Sequence, residues 1–187
     1  MCYMKDEIRD KLTISRNSLD DGVIKEKSKQ IEKSLFSLEE YKNSKNVMFY
    51  VSFGNEVETH DMIKKALKDK VVIVPKVVFG EIKPSLLGDF SQLIPCGKFD
   101  ILEPMEPVFY NAKNIDLVVV PGIGFDRKGV RVGYGYGFYD KFLKNLPKAV
   151  KIGVGYDFQV VDEIQKENHD VSMDLIVTDK EVINCKE

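Results

Sequence analysis

The chain is expected to fold as an α/β protein: three layers, α/β/α, around a mostly parallel sheet. Near-continuous apolar runs such as DLVVV read as strands buried on both faces, the usual state of a parallel strand between helices. Short β-rich runs alternate along the chain with helical patterns, and 187 residues suit a single domain spanning 1–187.

The elements follow in order. Ile8, Leu12 and Leu19 keep helical spacing with Ser15 on the same line, while Lys5, Arg9 and Arg16 form a cationic edge beside that stripe. Asp20, Asp21 and Gly22 break this helix, and Ile24, Ile31, Leu35 and Leu38 mark a second. NVMFYVSF reads as a strand, THDMIKKALKD as a helix capped by Thr59, and KVVIVPKVVF as another strand. DLVVVPG supplies a buried strand that ends at Pro121 and opens a long loop, followed by the helix FYDKFLKNL and the strands KIGVGY and DLIVT.

Composition removes several function classes. Hydrophobic residues make up 43% and charged residues 31%, enough apolar surface to offset the entropy lost on folding. A net charge of -2, with no basic stripe interleaved with aromatics, argues against nucleic acid as a partner. No apolar run reaches the ~18 residues a membrane helix needs, and MCYMKDEIRD has no signal-peptide core, so a cytoplasmic protein without membrane attachment is expected. Cys2, Cys96 and Cys185 lie far apart, as reduced thiols do, and form no zinc pattern. His60 and His169 have no evident nucleophile and orienting group beside them, which argues against a hydrolase triad, and the lack of a GxxxxGK[ST] excludes a P-loop.

Chemistry concentrates in VVVPGIGFDRKGVRVGYGYGFYDKFL, a loop at the carboxyl end of a buried strand, where open α/β sheets bind ligands. Gly133, Gly135 and Gly137 free the backbone to turn its N–H groups toward an anion, and the first turn of the next helix would add donors. Arg131 could grip phosphate oxygens bidentately. Asp140, in the first turn of that helix, and Asp174, just before LIV, are candidate magnesium carboxylates.

The run PGIGFDRKGVRVGYGYGFYD resembles the signature of the 5-formyltetrahydrofolate cyclo-ligase family, and KDEIR, NEVET and HDVSMDLIVTD agree with it in order across nearly the whole chain. The resemblance implies a fold similar to sugar-phosphate isomerases and CoA-transferases. It also implies a reaction in which ATP and 5-formyltetrahydrofolate give 5,10-methenyltetrahydrofolate, ADP and phosphate, with magnesium. By matching positions, ATP would contact Lys5, Arg9, Arg131, Val132, Gly133, Tyr134, Gly135, Tyr136, Gly137, Phe138 and Tyr139. The folate would contact Val51, Glu56 and the shared wall Tyr134, Gly135, Tyr136, Gly137 and Phe138. Arg131, Tyr136 and Lys5 are the implied catalytic positions, and Asp140 and Asp174 the implied metal ligands. Family members often carry a small or basic residue where this chain has Tyr136, so backbone contacts are expected there. The expected partners are ATP and a reduced folate, with or without a polyglutamate tail, acting on a monomer. Lys76, which follows VVIVP, is a candidate contact by position for the anionic tail of such a folate.

Overall fold

A computed structural model of the chain describes residues 5–97 and 100–186; Cys2 lies outside them. The helices are α1 (Lys5–Asn17), α2 (Asp21–Ser37), α3 (Glu39–Asn43), α4 (His60–Ala66) and α5 (Phe138–Leu143). The strands are β1 (Asn46–Phe49), β2 (Val71–Val78), β3 (Glu81–Leu87), β4 (Leu93–Cys96), β5 (Ile101–Pro104), β6 (Val108–Phe109), β7 (Leu117–Pro121), β8 (Gly124–Asp126), β9 (Arg131–Val132), β10 (Val150–Val154), β11 (Val160–Val161), β12 (Leu175–Val177) and β13 (Val182–Asn184).

The central sheet has eight strands in the order β13-β12-β10-β7-β1-β2-β3-β6. Its interior pairs, β12 with β10, β10 with β7, β7 with β1 and β1 with β2, are parallel, whereas β13, β3 and β6 join antiparallel at the margins. Chain order reverses at β1: the path runs out to β2 and returns to β7 on the other side. The crevice beyond the carboxyl ends of β1 and β7 is therefore the topological switch point, where such sheets hold ligands.

Alternation along the strands sends side chains to both faces. Val47, Phe49, Val72, Val74, Leu117, Val119, Ile152 and Val154 pack against Ile24, Ile31 and Leu35 of α2 and Met62, Ile63 and Ala66 of α4. Met48, Ile73, Val118, Val120 and Ile176 face the other way, onto Phe142 and Leu143 of α5 together with Phe125, Leu146 and Met173. This is the three-layer arrangement the apolar runs predict. Among the described residues no helix is long and apolar enough to cross a membrane.

What reads in the sequence as one long loop after β7 contains a hairpin, β8–β9, extended by β11 into a small sheet. Asp126 fastens it: one carboxylate oxygen accepts from Lys128 N and Val130 N, each at 2.9 Å, and the other from Ile164 N at 3.0 Å. Ile8 and Leu12 of α1 pack on Ile123, Val130 and Val132 of this unit, so the first helix is tied to the strand that launches the glycine loop. Thr59 occupies the cap position of α4 but makes no cap bond there; its hydroxyl donates to Tyr50 O at 2.8 Å and accepts from Ser52 N at 3.0 Å, locking the turn after β1. Cys96 is exposed and Cys185 half-buried, both as free thiols.

Candidate active site

The glycine loop leaves β9 and arches over the switch point. Gly135 and Gly137 take the left-handed backbone conformation, with φ of 98° and 66°. Gly133 does not; it is needed for space, because a Cβ there would lie 2.6 Å from Arg131 Nη1. The helix that follows spans six residues, so its dipole is small, and the loop amides rather than the helix end must meet an anion.

Arg131 stands under the loop with 5% of its side chain exposed, donating from Nη2 to Asp140 Oδ2 at 2.9 Å and from Nη1 to Pro121 O at 3.3 Å. Its guanidinium lies 5.7 Å from the Tyr139 ring centre, a cation–π contact, and its buried Nε has no partner among the described residues. Arg9 reaches across from α1, its Nε donating to Gly133 O at 2.9 Å while its other end pairs with Asp6. These two cations and the loop thus come together as the sequence predicts.

Lys5 is nearby in a different state. Its Nζ pairs with Asp170 at 2.6 Å and Glu167 at 2.8 Å. Burial alone would lower its pKa, but the bonds to Asp170 and Glu167 outweigh that and raise it. Asp170 is the counterpart: burial pushes it up, and the Lys5 bond overrides this to hold it below its ordinary value.

On the other side of the loop, Glu56 follows β1 and is 5% exposed. Its Oε1 accepts from the Tyr134 hydroxyl at 2.9 Å and its Oε2 from Phe53 N at 3.1 Å, while Tyr156 donates to its main-chain carbonyl at 3.0 Å. Burial raises the Glu56 pKa; the Phe53 amide, the Arg16 cation and the Tyr134 hydroxyl oppose the rise without cancelling it. Glu56 lines a cavity of about 450 Å³ with Ser52, Phe53, Gly54, Glu58 and His60. Val51, at 4% exposure, belongs to the core beneath this turn.

The remaining loop positions separate by role. Val132 is buried in β9, Tyr134 is 41% exposed, and Tyr136 is 71% exposed with its ring stacked on Phe138 at 5.4 Å. Phe138 and Tyr139 are half-buried and pack on the core face of α5.

Asp140 and Asp174 are not brought together. Asp140 Oδ1 accepts from Val171 N at 3.2 Å, which places the residue after Asp170 against it. Asp174 immediately precedes β12, and its carboxylate accepts from Lys151 N, at the start of β10, at 2.7 Å and pairs with Lys186 at 3.0 Å. A residue that enters a parallel strand lies at the amino edge of the sheet, across from the glycine loop, so Asp174 is not a ligand of a site built on Asp140. Asp170, which the sequence reading passed over although it stands in the quoted HDVSMD, is the acidic group beside Asp140 and Lys5. Lys76 likewise is not a free cation: its Nζ pairs with Glu103 at 2.7 Å.

Two further residues escaped the sequence reading as members of the site. Arg16, expected on the cationic edge of α1, is buried at 5% exposure and donates from Nη2 to the Tyr134 hydroxyl at 2.7 Å. Tyr156, fully buried after β10, holds the Glu56 backbone.

The model of the 5-formyltetrahydrofolate cyclo-ligase family matches residues 2–179 of the chain. The chain is 32% identical over 189 residues to a 5-formyltetrahydrofolate cyclo-ligase of Saccharomyces cerevisiae, covering 86% of this chain and 88% of that protein. It is 28% identical over 201 residues to a probable 5-formyltetrahydrofolate cyclo-ligase of Schizosaccharomyces pombe, covering 98% of each. Among solved structures it is similar to the Aquifex aeolicus 5,10-methenyltetrahydrofolate synthetase, with a TM-score of 0.88 and 34% identity over 99% of this chain and 94% of that one.

Proposed function

The chain belongs to the 5-formyltetrahydrofolate cyclo-ligase family, and from that membership we propose that it closes 5-formyltetrahydrofolate to 5,10-methenyltetrahydrofolate while ATP becomes ADP and phosphate. The observation that carries this reading is the Tyr134–Glu56 bond, which joins a glycine loop backed by Arg9 and Arg131 to a cavity of about 450 Å³ holding a buried carboxylate.

The chemistry needs no protein nucleophile. A formamide is a poor electrophile until its oxygen becomes a leaving group. In the proposed course the formyl oxygen attacks the γ-phosphorus and ADP departs. N10 then attacks the formyl carbon, the carbon–oxygen bond breaks to release phosphate, and the N10 proton is lost. Positioning and charge stabilisation dominate such a transfer. Arg131 and Arg9 would oppose the charge that grows on the phosphoryl group, and the amides from Gly133 to Gly137 would fix its direction. Lys5 would join them from its place on Asp170. Tyr136, being exposed, contributes its backbone and a stacking surface. Glu56 would accept hydrogen bonds from the pterin, whose N–H groups need an acceptor in a buried pocket, while Val51 would support the turn from the core beneath it.

Magnesium fits the donor set in a modified form. Asp140 offers hard carboxylate oxygen with lone pairs left after its bonds to Arg131 and Val171 N, and Asp170 stands next to it in the chain's path. These two carboxylates would hold the ion, which when bound would offset the charge of the ATP phosphates.

A monomer acting in the cytoplasm on these small molecules, including polyglutamylated folates, completes the reading; the free thiols of Cys96 and Cys185 agree with a reducing compartment. The test is an assay with 5-formyltetrahydrofolate and magnesium, with and without ATP. Product absorbance that develops only with ATP supports the reading, and none in either arm removes it.

A further inference from the structure

We propose that Arg16 is a positioning residue for the reduced folate, acting through the Tyr134 hydroxyl on the Glu56 carboxylate. The inference rests on the functional reading above and deepens it. Arg16 itself belongs to α1, behind the cavity rather than in its wall.

The atoms form one directed chain. Arg16 Nη2 donates to Tyr134 OH at 2.7 Å, and Tyr134 OH donates in turn to Glu56 Oε1 at 2.9 Å. A hydroxyl that accepts a bond from a cation becomes a stronger donor, so the Arg16 charge is felt at Glu56 through Tyr134. The Tyr134 ring is held from two sides, by the Arg16 guanidinium at 5.6 Å and by Phe53 at 5.7 Å, which fixes where the hydroxyl points. Asn55 pins the α1 end of the chain by donating to Arg16 O at 3.2 Å.

Burial explains why the three groups act as a unit. A guanidinium at 5% exposure is costly without a counter-charge, and among the described residues Arg16 has no carboxylate bonded to it and its buried Nε has no partner. Glu56, equally buried, supplies the negative charge. The other titratable groups around Glu56 are the phenols of Tyr50 just after β1, Tyr139 of α5 and Tyr156 after β10, whose pKa values burial raises so that they remain neutral, and Asp21, Lys25, Glu58, His60 and Asp100, which line the same cavity. Arg16 is therefore a cation that favours the ionised form of Glu56, in which neither oxygen carries a proton and each, besides the bond it accepts from Tyr134 or Phe53 N, keeps a lone pair for a pterin donor.

The experiment measures KM for each substrate in Arg16→Gln, Tyr134→Phe, the double variant and Arg16→Lys, after the wild type has shown turnover. The expected result is a rise of about tenfold in the reduced-folate KM in each single variant, with the ATP KM within about twofold. The double variant should be no worse than the larger single one, and Arg16→Lys should recover part of the loss. The acid-side rise in reduced-folate KM should also begin at higher pH in both singles. Tyr134→Phe keeps its ring and decides the matter if Arg16→Gln does not fold. Additive effects, equal rises in both KM values, or an unchanged folate KM in Tyr134→Phe would overturn the relay. A wild type without product would instead sink the functional reading.

Discussion

Arg131 and Asp140, nine residues apart, close the glycine loop between them: Nη2 and Oδ2 meet at 2.9 Å with 5% and 15% of the two side chains exposed. The pair acts as a clasp between the start of the loop and the helix that follows it, alongside the Arg131 bond to Pro121 O and the Arg9 bond to Gly133 O.

Removing Arg131 should therefore do more than slow the reaction. Arg131→Ala leaves the Asp140 carboxylate without its partner, and breaking a buried pair costs about 3 kcal/mol. We expect a lower melting temperature together with a loss of about ten- to a hundredfold in turnover. Wild-type kinetics in a folded Arg131→Ala sample would remove the residue from the mechanism.

Gly133→Ala should separate activity from stability. The added Cβ would lie 2.6 Å from Arg131 Nη1, the far end of a side chain that is able to shift. Turnover is expected to fall by at least about tenfold, while the melting temperature falls less than in Arg131→Ala, because the displaced guanidinium still neutralises Asp140. A melting temperature that collapses with the activity would mean that the backbone, not the guanidinium, is what yields.

Metal titrations distinguish the three aspartates. Asp140→Asn and Asp170→Asn should each raise the magnesium concentration needed for half-maximal rate. Asp174→Asn should leave that titration unchanged while lowering stability through its lost contacts with Lys151 and Lys186. A magnesium requirement altered by Asp174→Asn would restore it to the site.

Glu56 sets a pH dependence whose sign follows from its raised pKa. Burial lifts it above its ordinary value of 4.5, so its favourable contribution is present below that value and is lost as pH rises through the folded pKa. Above the folded pKa the ionised carboxylate is a net cost to the fold. On acidification the wild type should gain a stability increment that Glu56→Gln lacks, read as a narrowing or widening gap between the two melting curves. Parallel curves would mean that Glu56 titrates normally. Glu56→Gln should also raise the reduced-folate KM by about tenfold, because a hydrogen bond to a charged acceptor is replaced by a neutral one.

The sheet and the glycine loop were legible because their signals are local: apolar runs for β2, β7, β10 and β12, and a spacing of glycines that little else explains. The β8–β9 hairpin was not, since strands of three and two residues carry no periodicity and are held by Asp126, a contact between distant segments. Asp174 was misplaced for a directional reason: nearness to a strand says nothing about which edge of the sheet a residue occupies, and entering a parallel strand puts it at the amino edge. In the sequence Arg16 shows only as part of the cationic edge of α1, because the helical line is visible there but its neighbour is not; in the structure Arg16 faces the Tyr134 hydroxyl.

The central claim is that the loop above Arg131 and the cavity beside Glu56 work as one site for phosphoryl transfer and ring closure. Simultaneous measurement of ADP and methenyl product in a single reaction tests it most directly. One ADP formed for each ring closed, with neither appearing when the other substrate is withheld, is the predicted result. ADP released at the same rate without the folate, or ring closure without ATP, would contradict it.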